Sequence, residues 1–205
     1  MNAATHDNTT LTATETAPLP RSARLKADTM ATHDVLDKRI MASAPFENKH
    51  NYARFLLAQY AFLRDVDALY DHAGLAALLP DLAERRRYAS IAADLRDLDT
   101  PLPPAPLAAP VDTQLDLATA LGWLYVSEGS KLGAAILYKL AGKIGLDEHF
   151  GARHLAGHPD GRARHWRDFT SVLDTAELDA DGEARVIEGA RAAFMRMHGH
   201  VEALG

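Results

Sequence analysis

Large apolar residues recur at steps of three and four along nearly the whole chain, and no stretch alternates apolar with polar residues long enough to make a strand. Leu25, Thr29, His33, Leu36 and Ile40 share one helical face until Pro45 ends the run. Asn48 stands as a cap for the next series, Tyr52, Phe55, Leu56, Gln59, Leu63, Val66 and Tyr70, with Gly74 just beyond its expected end. Leu75 to Leu79 suggests a short helix closed by Pro80, and Tyr88, Ile91, Leu95 and Leu98 form another apolar face. Five prolines between Thr100 and Pro110 mark an extended connection. A long glycine-bearing helix follows, from about Thr113 to Gly142, then the turn-rich "FGARHLAGHPDGRARHW", a helix through Phe169 and Leu173, and a terminal helix. The pattern specifies an all-α fold of roughly seven to nine helices in a single domain.

The first 20 residues hold six threonines and few large apolar groups, too few to offset chain entropy. Residues 1–22 are therefore expected to be a disordered tail and 23–205 the helical domain. The net charge of −6 argues against nucleic acid, which needs a clustered basic surface. Only Arg85-Arg86-Arg87 is locally basic, and such a run reads first as a solvated helix face. With no cysteine, disulfides, thiolate catalysis and iron–sulfur clusters are excluded, and a reducing cytoplasm is the expected location. No window approaches a membrane span, and the start lacks a secretion signal. A monomer is the default for a chain without an apolar seam.

The stretch "GWLYVSEGSKLGAA", Gly122 to Ala135, puts three glycines inside one helix. Each interior glycine costs about 1 kcal/mol relative to alanine. At 100° per residue, Gly122, Val126, Gly129, Ser130 and Gly133 fall along one stripe flanked by Tyr125 and Leu132. Close helix packing through Gly129-x-x-x-Gly133 is the plain explanation. A lipid-embedded version fails on Glu128 and Lys131, and a phosphate loop fails because the glycines lie within a helix rather than before one. A flat aromatic ligand also suits the stripe, since a planar macrocycle needs a surface cleared of side chains. Haem makes that demand.

Haem iron in a cysteine-free chain would take histidine as its axial ligand. Of ten histidines, His33 alone lies midway along an apolar face, in "DTMATHDVLDKRI". A lone histidine there is more often a core residue satisfied by its neighbours. Asp37, one turn on, offers a carboxylate that can orient the second ring nitrogen. His154 and His158 raise zinc as a rival, but Gly157 and Pro159 interrupt helical continuity and there is no H-E-x-x-H.

With "RLKADTMATHD", "PFENKHNYARFLLAQY", "GWLYVSEGSKLGAA", "GARHLAGHPDGRARHW" and "GARAAF" in this order, the chain resembles the bacterial haem oxygenases, from about Arg24 to the terminal helix. The resemblance implies haem held between a proximal helix carrying His33 and a kinked distal helix carrying Gly129, Ser130 and Gly133. It implies cleavage of haem to biliverdin, carbon monoxide and ferrous iron, using O2 and electrons from an external donor such as a ferredoxin or a reductase. Glycine and serine suit that chemistry because they leave room for ordered water and avoid the acid that would favour peroxidase-type cleavage.

Lys26 lies two turns before His33 on the same face, and Tyr125 flanks the glycine stripe. Both match positions that anchor the propionates in relatives opening the α-meso edge. The branch opening other edges has asparagine and phenylalanine there, and lysine where this chain has Met41. Biliverdin IXα is the expected product. Gln59 and Arg87 match residues near the distal water network, though Arg87 also fits a plain exposed charge run. A haem carrier or sensor without turnover is the alternative function.

Overall fold

The structure, a computed structural model, describes residues 19–104 and 110–204. Seven α-helices run α1 Arg21–Ala42, α2 Lys49–Asp65, α3 Ala73–Leu78, α4 Tyr88–Asp97, α5 Leu117–Lys143, α6 Arg162–Thr175 and α7 Ala180–Glu202. Single 3₁₀ turns stand at Asp67–Asp71, Leu82–Arg85 and Arg153–Leu155. Among the described residues there is no strand beyond one isolated bridge, Asp147 to Gly151, in agreement with the helical periodicity.

Side-chain acceptors at the N-caps set the starts of the main helices. Asn48 accepts from Asn51 N at 2.9 Å, Asp116 from Thr119 N at 3.1 Å and Asp179 from Gly182 N at 2.7 Å. The α2 helix stops earlier than its apolar pattern suggests: it ends at Asp65, and Val66 to Tyr70 continue the buried face as a 3₁₀ turn. Gly74 consequently lies inside α3, where His72 caps the start by accepting from Leu75 N through Nδ1 at 3.1 Å.

The centre of the fold is the α5–α7 crossing. A Cβ added at Gly122 would lie 2.1 Å from the Val186 carbonyl, and one at Gly189 would lie 2.5 Å from that of Thr119. Two backbones touch there, so close packing explains Gly122. The α1 helix lies across α7 and α6. It begins at Arg21, two residues before the expected domain boundary, because Arg21 is buried and bonded to the Leu173 and Ala176 carbonyls and to Glu183. Residues 1–18 of the expected tail, and 105–109 of the proline-rich connection, lie outside the described residues.

The Arg85-Arg86-Arg87 run departs from the sequence expectation. Arg85 is only 1% exposed, and Arg86 pairs with Asp67 and Asp71. The run turns inward between the Leu82–Arg85 turn and α4 rather than forming a solvated helix face, since carboxylates on neighbouring elements compensate the guanidinium groups.

Candidate active site

Tyr125 of α5 is buried, with its hydroxyl facing Thr29 of α1, whose own hydroxyl donates to the Leu25 carbonyl at 2.7 Å. Burial holds the Tyr125 phenol above its usual range. One turn beyond Thr29 comes His33, and one and two turns beyond Tyr125 come Gly129 and Gly133. The imidazole and the two glycines thus lie further along α1 and α5 from the Thr29–Tyr125 meeting point.

His33 is not a packed core residue. Its side chain is 54% exposed, with Nδ1 3.5 Å from Asp37 and the ring edge-on to Phe194 of α7 at 5.9 Å. Asp37 thus stands near the nitrogen that a ligating Nε2 would leave free. Lys26 is exposed at the Thr29 end of α1.

On α5 the small residues divide by what they face. A Cβ at Gly129 would meet only the Trp166 ring, at 3.6 Å, an ordinary contact. A Cβ at Gly133 would meet nothing within 4 Å. Helix packing therefore accounts for Gly122 but not for Gly133. Ser130 donates its hydroxyl to the Ser127 carbonyl at 2.7 Å, a back-bond of the kind that bends helices. The α5 surface is thus bare at Gly133, where an alanine methyl would stand.

Between α2, α4 and the Arg153–Leu155 turn runs a buried polar chain. Gln59 Oε1 lies 3.0 Å from His154 Nε2, and His154 Nδ1 lies 2.8 Å from Asp94, which also accepts from the His154 backbone N–H at 2.9 Å. With Nδ1–H given to Asp94, a neutral ring accepts at Nε2 from the Gln59 amide N–H and a charged ring donates there to the amide oxygen, so the pair can orient either form. Burial pushes the His154 imidazole below its ordinary value. Burial acts to raise Asp94, but hydrogen bonds from His154 and Arg153 outweigh it and hold the carboxyl low.

Arg87 stands at the residue before α4, half-buried, and lines a cavity of about 10 Å³ with Glu128, Lys131, His158, Arg162 and His165. The plain exposed reading of Arg87 does not hold. His154 and His158, once a conceivable zinc pair, part ways: His158 stacks on His165 at 4.5 Å.

Asp94, Phe194 and the Arg85–Glu128 pair were not singled out from the sequence as site residues, and His154 was weighed there only as half of a zinc pair. Asp94 alone left a signal, an acid on the same helical face as Ile91 and Leu98. Buried ion pairs between distant segments leave none.

A family model described as heme oxygenase matches residues 19–203. The chain belongs to the heme oxygenase family. Heme oxygenase PigA of Pseudomonas aeruginosa is 46% identical over 176 residues, covering 86% of this chain and 88% of its own. The heme oxygenase of Neisseria meningitidis, solved with NO and CO bound, superposes with a TM-score of 0.85 at 41% identity, covering 91% of this chain and 92% of that one. Heme oxygenase 2 of Chlamydomonas reinhardtii, solved without heme, shares the fold with a TM-score of 0.76 at 18% identity, over 91% of this chain and 98% of that one. The fold class and the haem-cleaving activity expected from the sequence agree with this membership, and haem is the substrate. No helix among the described residues is long and apolar enough to cross a membrane.

Proposed function

We propose that this chain opens haem at the α-meso edge, giving biliverdin IXα, carbon monoxide and ferrous iron, with electrons delivered by a separate protein donor. Two observations support the reading: the open space at the Gly133 Cβ position in the middle of α5, and the exposed His33 imidazole on α1. Haem supplies the iron at which O2 is activated and the ring carbon that is oxidised.

The protein's own groups have four tasks in this reading. His33 holds the metal from the α1 side, and Asp37 keeps the ring in the ligating tautomer. Gly129 and Gly133 let the α5 backbone approach the opposite face. Ser130 and Gln59, the latter oriented by His154 and Asp94, hold the ordered water from which protons are taken. Lys26 offers a cation to the propionates at the Thr29 end of the cleft, and the Tyr125 hydroxyl, facing Thr29, stands at that same end. A propionate edge fixed there sets which meso carbon faces the distal water. Arg87 adds positive charge behind the distal helix, where it favours anionic oxygen. A cysteine-free chain suits a reducing cytoplasm, and we place the reaction there, in a monomer.

The test is to load the protein with haem and add ascorbate or a ferredoxin and its reductase. Loss of the Soret band with biliverdin IXα in the chromatogram is expected, and Lys26→Gln with Tyr125→Phe should spread the product over other isomers. An unchanged spectrum would point to a carrier, and a wild-type product dominated by the β or δ isomer would overturn the anchor assignment.

A further inference from the structure

The distal helix is bare on its haem side and tied by buried charge on the other. At 100° per residue, Glu128 and Lys131 project about 140° and 160° away from Gly133. Glu128 is 3% exposed, and every donor around it comes from a group that is itself largely buried. Arg85 Nη1 donates to its Oε2 at 3.1 Å, while Tyr70 Oη and Lys131 Nζ donate to its Oε1 at 3.1 Å and 2.5 Å. Arg85 also bonds Asp81 at 2.9 Å and the His165 carbonyl at 3.2 Å, and Lys131 donates to the Arg85 carbonyl at 2.5 Å. Tyr70 closes the network through the Ser127 hydroxyl at 2.9 Å. One turn of α5 is thereby fastened to the Asp67–Asp71 turn, the Leu82–Arg85 turn and α6 together.

Arg85 and Lys131 are set against Glu128 and the partly exposed Asp81. Burying a pair such as Arg85–Glu128 contributes little net stability, since well-packed apolar groups often do as well. What the pairs do supply is a fixed geometry, because directional bonds from three elements allow the carboxylate only one place. That place is the residue immediately before Gly129. The Ser127 backbone, which accepts the bending bond from Ser130, lies inside the same fastened turn.

We infer that Glu128 is a positioning residue for haem cleavage: through Arg85, Tyr70 and Lys131 it sets the height and tilt at which the Gly129–Gly133 backbone stands over the ring. It touches no substrate. The inference rests on the proposed role of Gly129 and Gly133 as the distal wall.

The decisive variant is Glu128→Gln, which keeps the size and loses the charge. In the haem-free protein, amide hydrogen exchange over residues 127–134 should speed up about tenfold or more, the equivalent of one charged hydrogen bond, while α2 and α7 are unaffected. In the haem-loaded protein the His33-ligated spectrum should persist, kcat should fall about tenfold and the biliverdin isomers should spread, as misplacement of a reacting geometry requires. Lys131→Met and Tyr70→Phe each remove one donor and keep the Arg85–Glu128 pair, so they should act in the same direction and carry the test if Glu128→Gln does not fold. Wild-type exchange in these variants, or faster exchange with wild-type turnover and isomer ratio, would overturn the inference. If the wild-type protein itself left haem intact, the cleavage reading would fall instead, and the haem-free exchange would still report on the clamp.

Discussion

Two glycines on one helix should respond to the same substitution with opposite signs. In Gly133→Ala the new methyl meets nothing within 4 Å in the haem-free protein. It should gain the helix propensity of alanine, about 1 kcal/mol, which for a domain of this size raises Tm by roughly 2–4 °C. In Gly122→Ala the methyl would stand 2.1 Å from the Val186 carbonyl and 2.7 Å from the Ala190 nitrogen, both backbone atoms that cannot rotate aside. Forced repacking of that kind costs about 1–3 kcal/mol or more, against the same propensity gain. With haem present the order should change. The Gly133 methyl then enters the space proposed for the ring, and an overpacking cost of about 1–3 kcal/mol corresponds to roughly 5- to 150-fold weaker haem binding. Thermal unfolding of the haem-free proteins and a Soret titration of each would measure both halves. A haem-free Gly133→Ala that melts below wild type, or one that binds haem with wild-type affinity, would show that the bare surface serves packing rather than a ligand.

Further expectations follow from the other wall and from the buried acids and bases. His33→Ala should lose the axial bond and most turnover while the haem-free melting temperature stays close to wild type, because the ring is half exposed; full activity would remove it from the ligand role. Stability should decline in acid. His154 and His165, held below their ordinary value by burial, stay neutral in the fold, so the unfolded chain binds more protons as pH drops through about 6.5. Asp94, held low, adds a second loss as pH falls further, through its folded-state value. Urea denaturation of the haem-free protein between pH 8 and about pH 3 would check this, and a flat profile across the histidine range would contradict the buried neutral imidazoles.

What the sequence made legible was whatever obeys a local period. Helical spacing located all the main helices, the Asn48 cap and the bare stripe on α5, because each depends on neighbours within two turns. It could not separate Gly122 from Gly133, since the difference is made by α7, whose Val186 carbonyl lies against one and not the other. Arg85 was misjudged for the same reason. A basic run looks solvated until Glu128, far along the chain, is placed beside it. His154 looked like one of several loop histidines, and its role depends on Asp94 and Gln59 arriving from two other helices. Short-range order was readable, then, and charge compensation across elements was not.

That division also bears on how a rigid plate enters a folded protein. The distal wall is fastened at its back by ion pairs, whereas α1 is fastened mainly at its start. Three of its four buried residues, Arg21, Leu25 and Thr29, fall in the first nine positions, and Ser22 bonds Asp174 there through both its backbone N–H and its hydroxyl. Beyond Thr29 only Leu36 is buried; Met30, His33, Val35 and Met41 are exposed, and the last turn overlies a cavity of about 150 Å³ shared with α2 and α7. Few buried contacts mean a low local opening energy. The half of α1 that carries His33 should therefore exchange its amide hydrogens faster than the Arg21–Thr29 half in the haem-free protein. Haem binding should slow it, by about a hundredfold when free haem stands at a hundred times its dissociation constant. Uniform protection along α1 without haem would mean that the proximal wall is as fixed as the distal one, and that the cleft admits haem by some motion other than the swing of this helix end.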